Sequence, residues 1–395
     1  MKNKINLSTI TTTVFFFVAI IRITVPVYQN LYRFTEKFDP ALYEKKYNAS
    51  QYMIPQSKHP ISDEELLSHA GYKYINGLNP ILINSDHPPL GKYIIGLFTI
   101  IFQNNRIVSL FFALSNFILI FLVVFSLTHS KLLASLSLFF LSLDPMLIDQ
   151  IIHSPILDII QVSFLLLYIY LLSLWLKSER TLLLFFMGIA LGCLSSIKLY
   201  FPAFVAIGVT GLALISYKKH VRIMFRYVFV ILPVAFITYA GTYLRYFIEI
   251  KAFLPFFGVQ KWIYLFWQNN SIDRSKTFAN VLPLILQNRW RVWWGEKPYI
   301  TYSGWSLVWP VFFVLSIIST IFFLYQLFVM KLDKKNQKDA SFQIGIFLSY
   351  WFIVFLFYLC FIPISPRYLM MLYFPSYIQV VLFIHYCFTH EKNKH

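Results

Sequence analysis

Apolar runs of about twenty residues recur from one end of this 395-residue sequence to the other. At about 1.5 Å per residue, a run of that length crosses roughly 30 Å of hydrocarbon as a helix. Lipid offers no partner to backbone N–H and C=O groups, so helices are what such runs form. The spans are expected near residues 7–28, 106–127, 131–149, 156–176, 181–197, 199–216, 225–247, 304–330, 342–362 and 367–388. The fold class that follows is an all-α integral membrane protein, a polytopic bundle of about ten transmembrane helices forming a single domain over 1–395. With 58% hydrophobic and only 13% charged residues, a soluble core, a disordered chain and a disulfide scaffold are all excluded.

Loop charge gives the orientation, because Lys and Arg in short loops mark the cytoplasmic side. Lys2 and Lys4, Lys131, Lys177 with Arg180, the cluster Lys218, Lys219, Arg222 and Arg226, Lys331 through Lys338, and Lys392 with Lys394 all fall on one face of the ten-span layout. Both termini are then cytoplasmic, and the first run reads as an uncleaved signal anchor. The outer face receives two long loops, about 30–105 and 248–303, and short turns near Asp149, Lys198 and Pro363–Arg367. Arg22, inside the first run, either snorkels to the outer interface or faces the bundle.

The apolar segment Lys92–Gln103 covers only about 18 Å as a helix and would, if counted as an eleventh span, invert the later basic loops. It reads as an interfacial or re-entrant juxtamembrane helix of the first outer loop. Phe253–Trp267, short and aromatic with Lys261 in its middle, is expected on the outer surface. The net charge of +17 is spread between spans instead of forming a stripe, so nucleic acid is not an expected partner and the lipid bilayer is. Cys193, Cys360 and Cys387 stand at no metal-ligand spacing. Gly-rich phosphate loops and nucleophile elbows are absent, so no cofactor and no metal are implied.

The first outer loop holds the chemistry-bearing residues. Ser62 is a good helix N-cap for Asp63, Glu64 and Glu65, where the helix dipole favours acidic residues. Further on, Asn84-Ser85-Asp86-His87-Pro88-Pro89-Leu90-Gly91-Lys92 reads as a turn in which two prolines start a helix. That accounts for the prolines but not for His87 and Lys92 together at a membrane surface.

The stretch His87-Pro88-Pro89-Leu90-Gly91-Lys92 resembles the one that follows the first transmembrane helix of protein O-mannosyltransferases. Asp63-Glu64 is similar to the acidic pair of the same loop. More broadly the arrangement resembles membrane glycosyltransferases of the C-type fold that use polyprenyl-phosphate sugars, including the lipid A aminoarabinose transferases. Leu157-Asp158, Ser196-Ile197-Lys198 and Pro366-Arg367-Tyr368 agree with it. In the mannosyltransferases an Arg usually stands where this sequence has His153, which makes His153 a further position of interest.

The resemblance implies a polyprenyl-phosphate-linked sugar donor, mannose-like, a protein or glycan acceptor, and a multi-pass protein of the plasma membrane with its site facing outward. Such transfer needs a carboxylate to take the acceptor proton and cations to stabilise the departing phosphate. Asp63 is the expected base with Glu64 as the alternative, and Asp158 is a third catalytic carboxylate, since a charge beside an apolar span is costly to keep. His87, Lys92, His153, Lys198 and Arg367 are the expected substrate contacts at the membrane boundary. A metal held between Asp63 and Asp158 is the less favoured arrangement. Trp290, Trp293 and Trp294, with Arg289 and Arg291, either line a sugar site or form an interfacial belt. A lipid or polysaccharide transporter is the non-enzyme alternative, though its charges would line a midplane path instead of one boundary.

Overall fold

Helices account for the regular structure in the computed structural model, which describes residues 7–153, 157–217, 221–269, 277–292, 299–328 and 339–392. The chain opens with α1 (Leu7–Gln29) and runs through α2 (Leu31–Thr35), α3 (Pro40–Asn48), α4 (Asp63–Ile75) and α5 (Leu90–Phe102). The bundle continues with α6 (Ile107–Thr128), α7 (Lys131–Ser142), α8 (Pro145–His153), α9 (Leu157–Ser178), α10 (Thr181–Ile197), α11 (Phe201–Ser216) and α12 (Val221–Gly241). After α13 (Leu244–Ile250), α14 (Pro255–Asn269) and α15 (Val281–Gln287) come α16 (Val308–Phe328), α17 (Ala340–Phe361), a 3₁₀ turn (Pro366–Leu369) and α18 (Met370–Lys392). Among the described residues the one extended pairing is an isolated bridge between Trp290 and Ile300.

Seven of the described helices are long and apolar enough to cross a membrane, or eight if α7 and α8 form one bent span. The other two expected spans appear as α10 and α11, with 17 and 16 residues. The run expected at 131–149 breaks by 63° between α7 and α8. Pro145 explains the break, because a proline disfavours helical geometry in the residue before it. The Asp144 carboxylate caps the new helix by accepting from the Met146 N–H at 2.8 Å, and it also accepts from the Tyr377 hydroxyl at 2.7 Å. Arg22 donates from Nε to the Ser142 carbonyl at 3.0 Å, so it serves the backbone at the break across the α1–α7 contact.

The core lies along α6, α9, α17 and α18, with α9 and α18 the most enclosed spans. α1 and α12 are mostly uncovered and carry apolar side chains on their outer faces, including Phe17, Ile21, Phe229 and Ile237. Such surface is tolerated where the solvent is lipid.

The first long loop is built on α4 and α5, which pack closely on each other. Their crossing is backbone on backbone: a Cβ on Gly71 would strike the Lys92 carbonyl and the Gly96 nitrogen, and one on Gly96 would strike the Gly71 carbonyl. α5 has 13 residues, too few to span alone. Its far end leaves Ile101 and Phe102 exposed, while its first turn is buried against the bundle.

Candidate active site

The acidic triplet at the start of α4 is a capped helix end and something more. Ser62 and Glu65 form a reciprocal capping box. Gln51 clamps the preceding residue by accepting from the Ile61 N–H at 2.9 Å and donating to its carbonyl at 3.3 Å. Each carboxylate then tethers a different element. Asp63 accepts from Arg367 Nη2 at 2.9 Å, Glu64 pairs with Arg106 at 2.9 Å, and Glu65 pairs with Lys46 at 2.5 Å. Burial alone would raise the Glu65 carboxyl, but Lys46 and the Ser62 N–H hold it below its ordinary range. Asp63 has 59% of its side chain exposed and Glu64 only 18%, so Asp63 is the carboxylate open to an incoming molecule.

Arg367 carries the connection inward. Its Nε stands 3.6 Å from Asp158, whose two oxygens accept from Lys198 Nζ at 2.7 and 2.9 Å. Helix ends explain the arrangement. Asp158 lies in the first turn of α9, where the dipole is positive, and Lys198 is the C-cap of α10, where it is negative. Both are buried, and the Lys198 ammonium also stands 4.2 Å above the centre of the Tyr368 ring. Lys198 is therefore a paired interior cation, not one that snorkels.

The stretch from Asn84 to Lys92 reaches the same cluster from another side. His87 Nδ1 is 2.8 Å from Asp86 Oδ2, and His87 lies within electrostatic range of Asp158. Burial alone would raise the Asp86 carboxyl, yet the neighbouring His87 and Lys92 charges hold it below its ordinary range. Tyr52 lies within range of both Asp86 and Asp63, so the two loop carboxylates flank common ground. Lys92 is completely buried and donates to the carbonyls of Asn84, at 2.5 Å, and His87, at 2.8 Å. Burial pushes its ammonium down to about 7, with the Asp86 charge opposing.

Of the expected residues, Asp63, Asp158, Lys198 and Arg367 form one chain of charge with His87 beside it. Glu64 and His153 stand on a flank joined by Arg106, which pairs with Glu64 and donates to the His153 carbonyl at 2.8 Å. The His153 ring is 3.0 Å from Asp149 and has 58% of its side chain exposed. Arg289 and Arg291 stack on Tyr299, and the Trp290 side chain is buried. Trp293 and Trp294 lie outside the described residues. Arg106 was not singled out from the sequence, although a cation opening an outer span departs from the positive-inside pattern and is a usable signal. Trp267 was also missed: its indole N–H donates to the Asp86 carbonyl at 2.8 Å, and its ring meets His87 edge-on with centroids 5.1 Å apart.

Residues 86–242 match the dolichyl-phosphate-mannose-protein mannosyltransferase family. That segment holds His87, Lys92, Arg106, His153, Asp158 and Lys198, while Asp63 and Arg367 lie on either side of it. It covers less than half of the chain. No curated protein matches the sequence. The mannosyltransferase segment and the repeated apolar helices together support a membrane glycosyltransferase of the mannosyltransferase type.

Proposed function

We propose that the protein moves a sugar, mannose-like, from a polyprenyl-phosphate donor to a hydroxyl of a protein or glycan acceptor at the outer face of the cell membrane. One observation carries this reading: Arg367 joins the exposed Asp63 to the buried Asp158–Lys198 pair at one end of the bundle. The acceptor oxygen bonds to the anomeric carbon and gives its proton to Asp63. The bond from that carbon to the phosphate oxygen breaks, and polyprenyl phosphate leaves with the electron pair. Arg367 and Lys198 supply the fixed cations that lower a barrier where negative charge then builds, with His87 beside them as a hydrogen-bonding partner. The Arg367 Nε, buried and without a hydrogen-bond partner, is a donor suited to a phosphate oxygen. Asp158 holds the two cations in place before the donor arrives. The outward placement rests on the basic loops assigned to the other face.

The test is incubation of the purified protein with polyprenyl-phosphate mannose and a panel of peptide and glycan acceptors, reading free polyprenyl phosphate and labelled acceptor. Both products are expected from the wild type and neither from Arg367→Met. Movement of intact lipid between leaflets, with no release of polyprenyl phosphate, points instead to a transporter.

A further inference from the structure

The stretch from His87 to Lys92 invites a reading in which both of its basic residues touch the donor phosphate. The geometry divides their labour. We infer that Asp86, Lys92 and Trp267 are positioning residues that mount the His87 ring, and that His87 is the residue of this stretch that meets the substrate; the inference rests on the transferase reading above.

Lys92 lies in the first turn of α5, and side chains on a helix lean toward its N-terminus. It therefore reaches back over Pro88 and Pro89 to the carbonyls of Asn84 and His87. Those prolines have no N–H to offer the turn, and a buried carbonyl needs a donor. The Lys92 ammonium supplies it, packed 5.4 Å from the Tyr74 ring centre and fully shut off from the surface. Unlike Arg367 Nε, which is buried without a hydrogen-bond partner, the Lys92 ammonium is already engaged with two carbonyls and presents no surface to a donor phosphate.

The ring itself is fixed on two further sides. Asn84 donates to Asp86 Oδ1 at 2.7 Å, and Asp86 Oδ2 is the partner of His87 Nδ1. A carboxylate on Nδ1 sets the orientation of an imidazole and leaves the Nε2 edge for a ligand. Trp267, from α14, holds the Asp86 carbonyl and the ring edge together. Gly91 completes the mount: a Cβ there would strike the Leu157 side chain and press on Ile197 at 3.0 Å. The residues it contacts precede Asp158 and Lys198, so the start of α5 is seated directly against the chain of charge.

The experiment uses the full-length protein in lipid nanodiscs and two readouts. First, carbethoxylation of His87 by diethyl pyrocarbonate is followed by peptide mass spectrometry, which needs no donor. Lys92→Met removes two hydrogen bonds from the turn and Trp267→Phe removes one neutral bond, so the first should raise the His87 modification rate by about tenfold or more and the second by about threefold to tenfold. Second, transfer from polyprenyl-phosphate mannose is measured. Lys92→Met should lower kcat about 10²-fold, as a misplacement of about 1 Å does, with donor KM within about threefold of wild type. In a His87→Gln background the same change should cost nothing further, because the two act as one unit. A raised donor KM with an unchanged modification rate makes Lys92 a direct phosphate contact and overturns the assignment. If Lys92→Met does not fold, Trp267→Phe decides through the modification rate alone, where no increase refutes the mount. A wild type inactive on every donor removes the transferase reading but leaves the modification readout intact.

Discussion

Lys198 closes α10 and Asp158 opens α9, and the two side chains meet 2.7 Å apart across those helix ends with almost no exposure to solvent. The pair has one geometry because each charge sits at the helix end whose dipole favours it. Removing one member leaves the other buried without its main partner, which typically costs about 3–5 kcal/mol. Lys198→Met should therefore lower thermal stability sharply. Adding Asp158→Asn to that variant should return part of the loss, as measured by thermal unfolding in detergent. Additive losses would mean that the two residues are not energetically paired.

Asp63 and Glu64 are neighbours in sequence with opposite surroundings. Asp63→Asn keeps the shape of the side chain and should lower turnover by about 10²–10⁴-fold, the range for loss of a general base, while leaving donor binding close to normal. Glu64→Gln weakens the tie to Arg106 and should instead show mainly as reduced stability of the first outer loop in limited proteolysis. The reverse pattern would pass the role of base to Glu64.

The Lys92 ammonium has a folded pKa of about 7 against an ordinary value near 10.4. Between those values the folded protein binds fewer protons than the unfolded chain at this site, so stability rises with pH across the window. As pH falls back through about 7, that contribution is lost. The unfolding midpoint should climb between pH 7 and pH 9, and Lys92→Met should flatten the climb. A wild-type midpoint that falls over this range would contradict the assignment.

Orientation is testable without any substrate. In a background lacking Cys193, Cys360 and Cys387, a cysteine at His59 should react with an impermeant maleimide applied to intact cells, and a cysteine at Arg180 should react only after permeabilisation. These positions lie at opposite ends of the bundle by the loop-charge pattern. Labelling of the second without the first would invert the topology and put the charge chain on the cytoplasmic side.

The sequence made several of these residues visible for a definite reason. Asp158, Lys198 and Arg367 interrupt or border apolar runs, and a charge there has few purposes. The bend in the third run had a local signal as well, the Asp144-Pro145 pair, but the surrounding hydropathy is continuous and masks it. Trp267 gave no such sign. Its contact with Asp86 joins residues 181 positions apart, and an aromatic residue in an interfacial helix looks the same whether it faces lipid or a histidine. For Arg22 the sequence leaves snorkelling and facing the bundle both open, because nothing local reveals the broken helix whose Ser142 carbonyl it meets across the α1–α7 contact.

At the point where α4 and α5 cross, Gly71 and Gly96 put backbone directly against backbone. Most helix pairs can slide or tilt when the residues between them change size, and their spacing drifts as their cores are rewritten. At this crossing point there is no side chain to rewrite. Asp63 at the head of one helix and His87 just before the other are thereby coupled like the two points of a calliper with a seized joint. A shift of the first outer loop, from a substrate or from a mutation elsewhere, is then expected to move the carboxylate and the imidazole together.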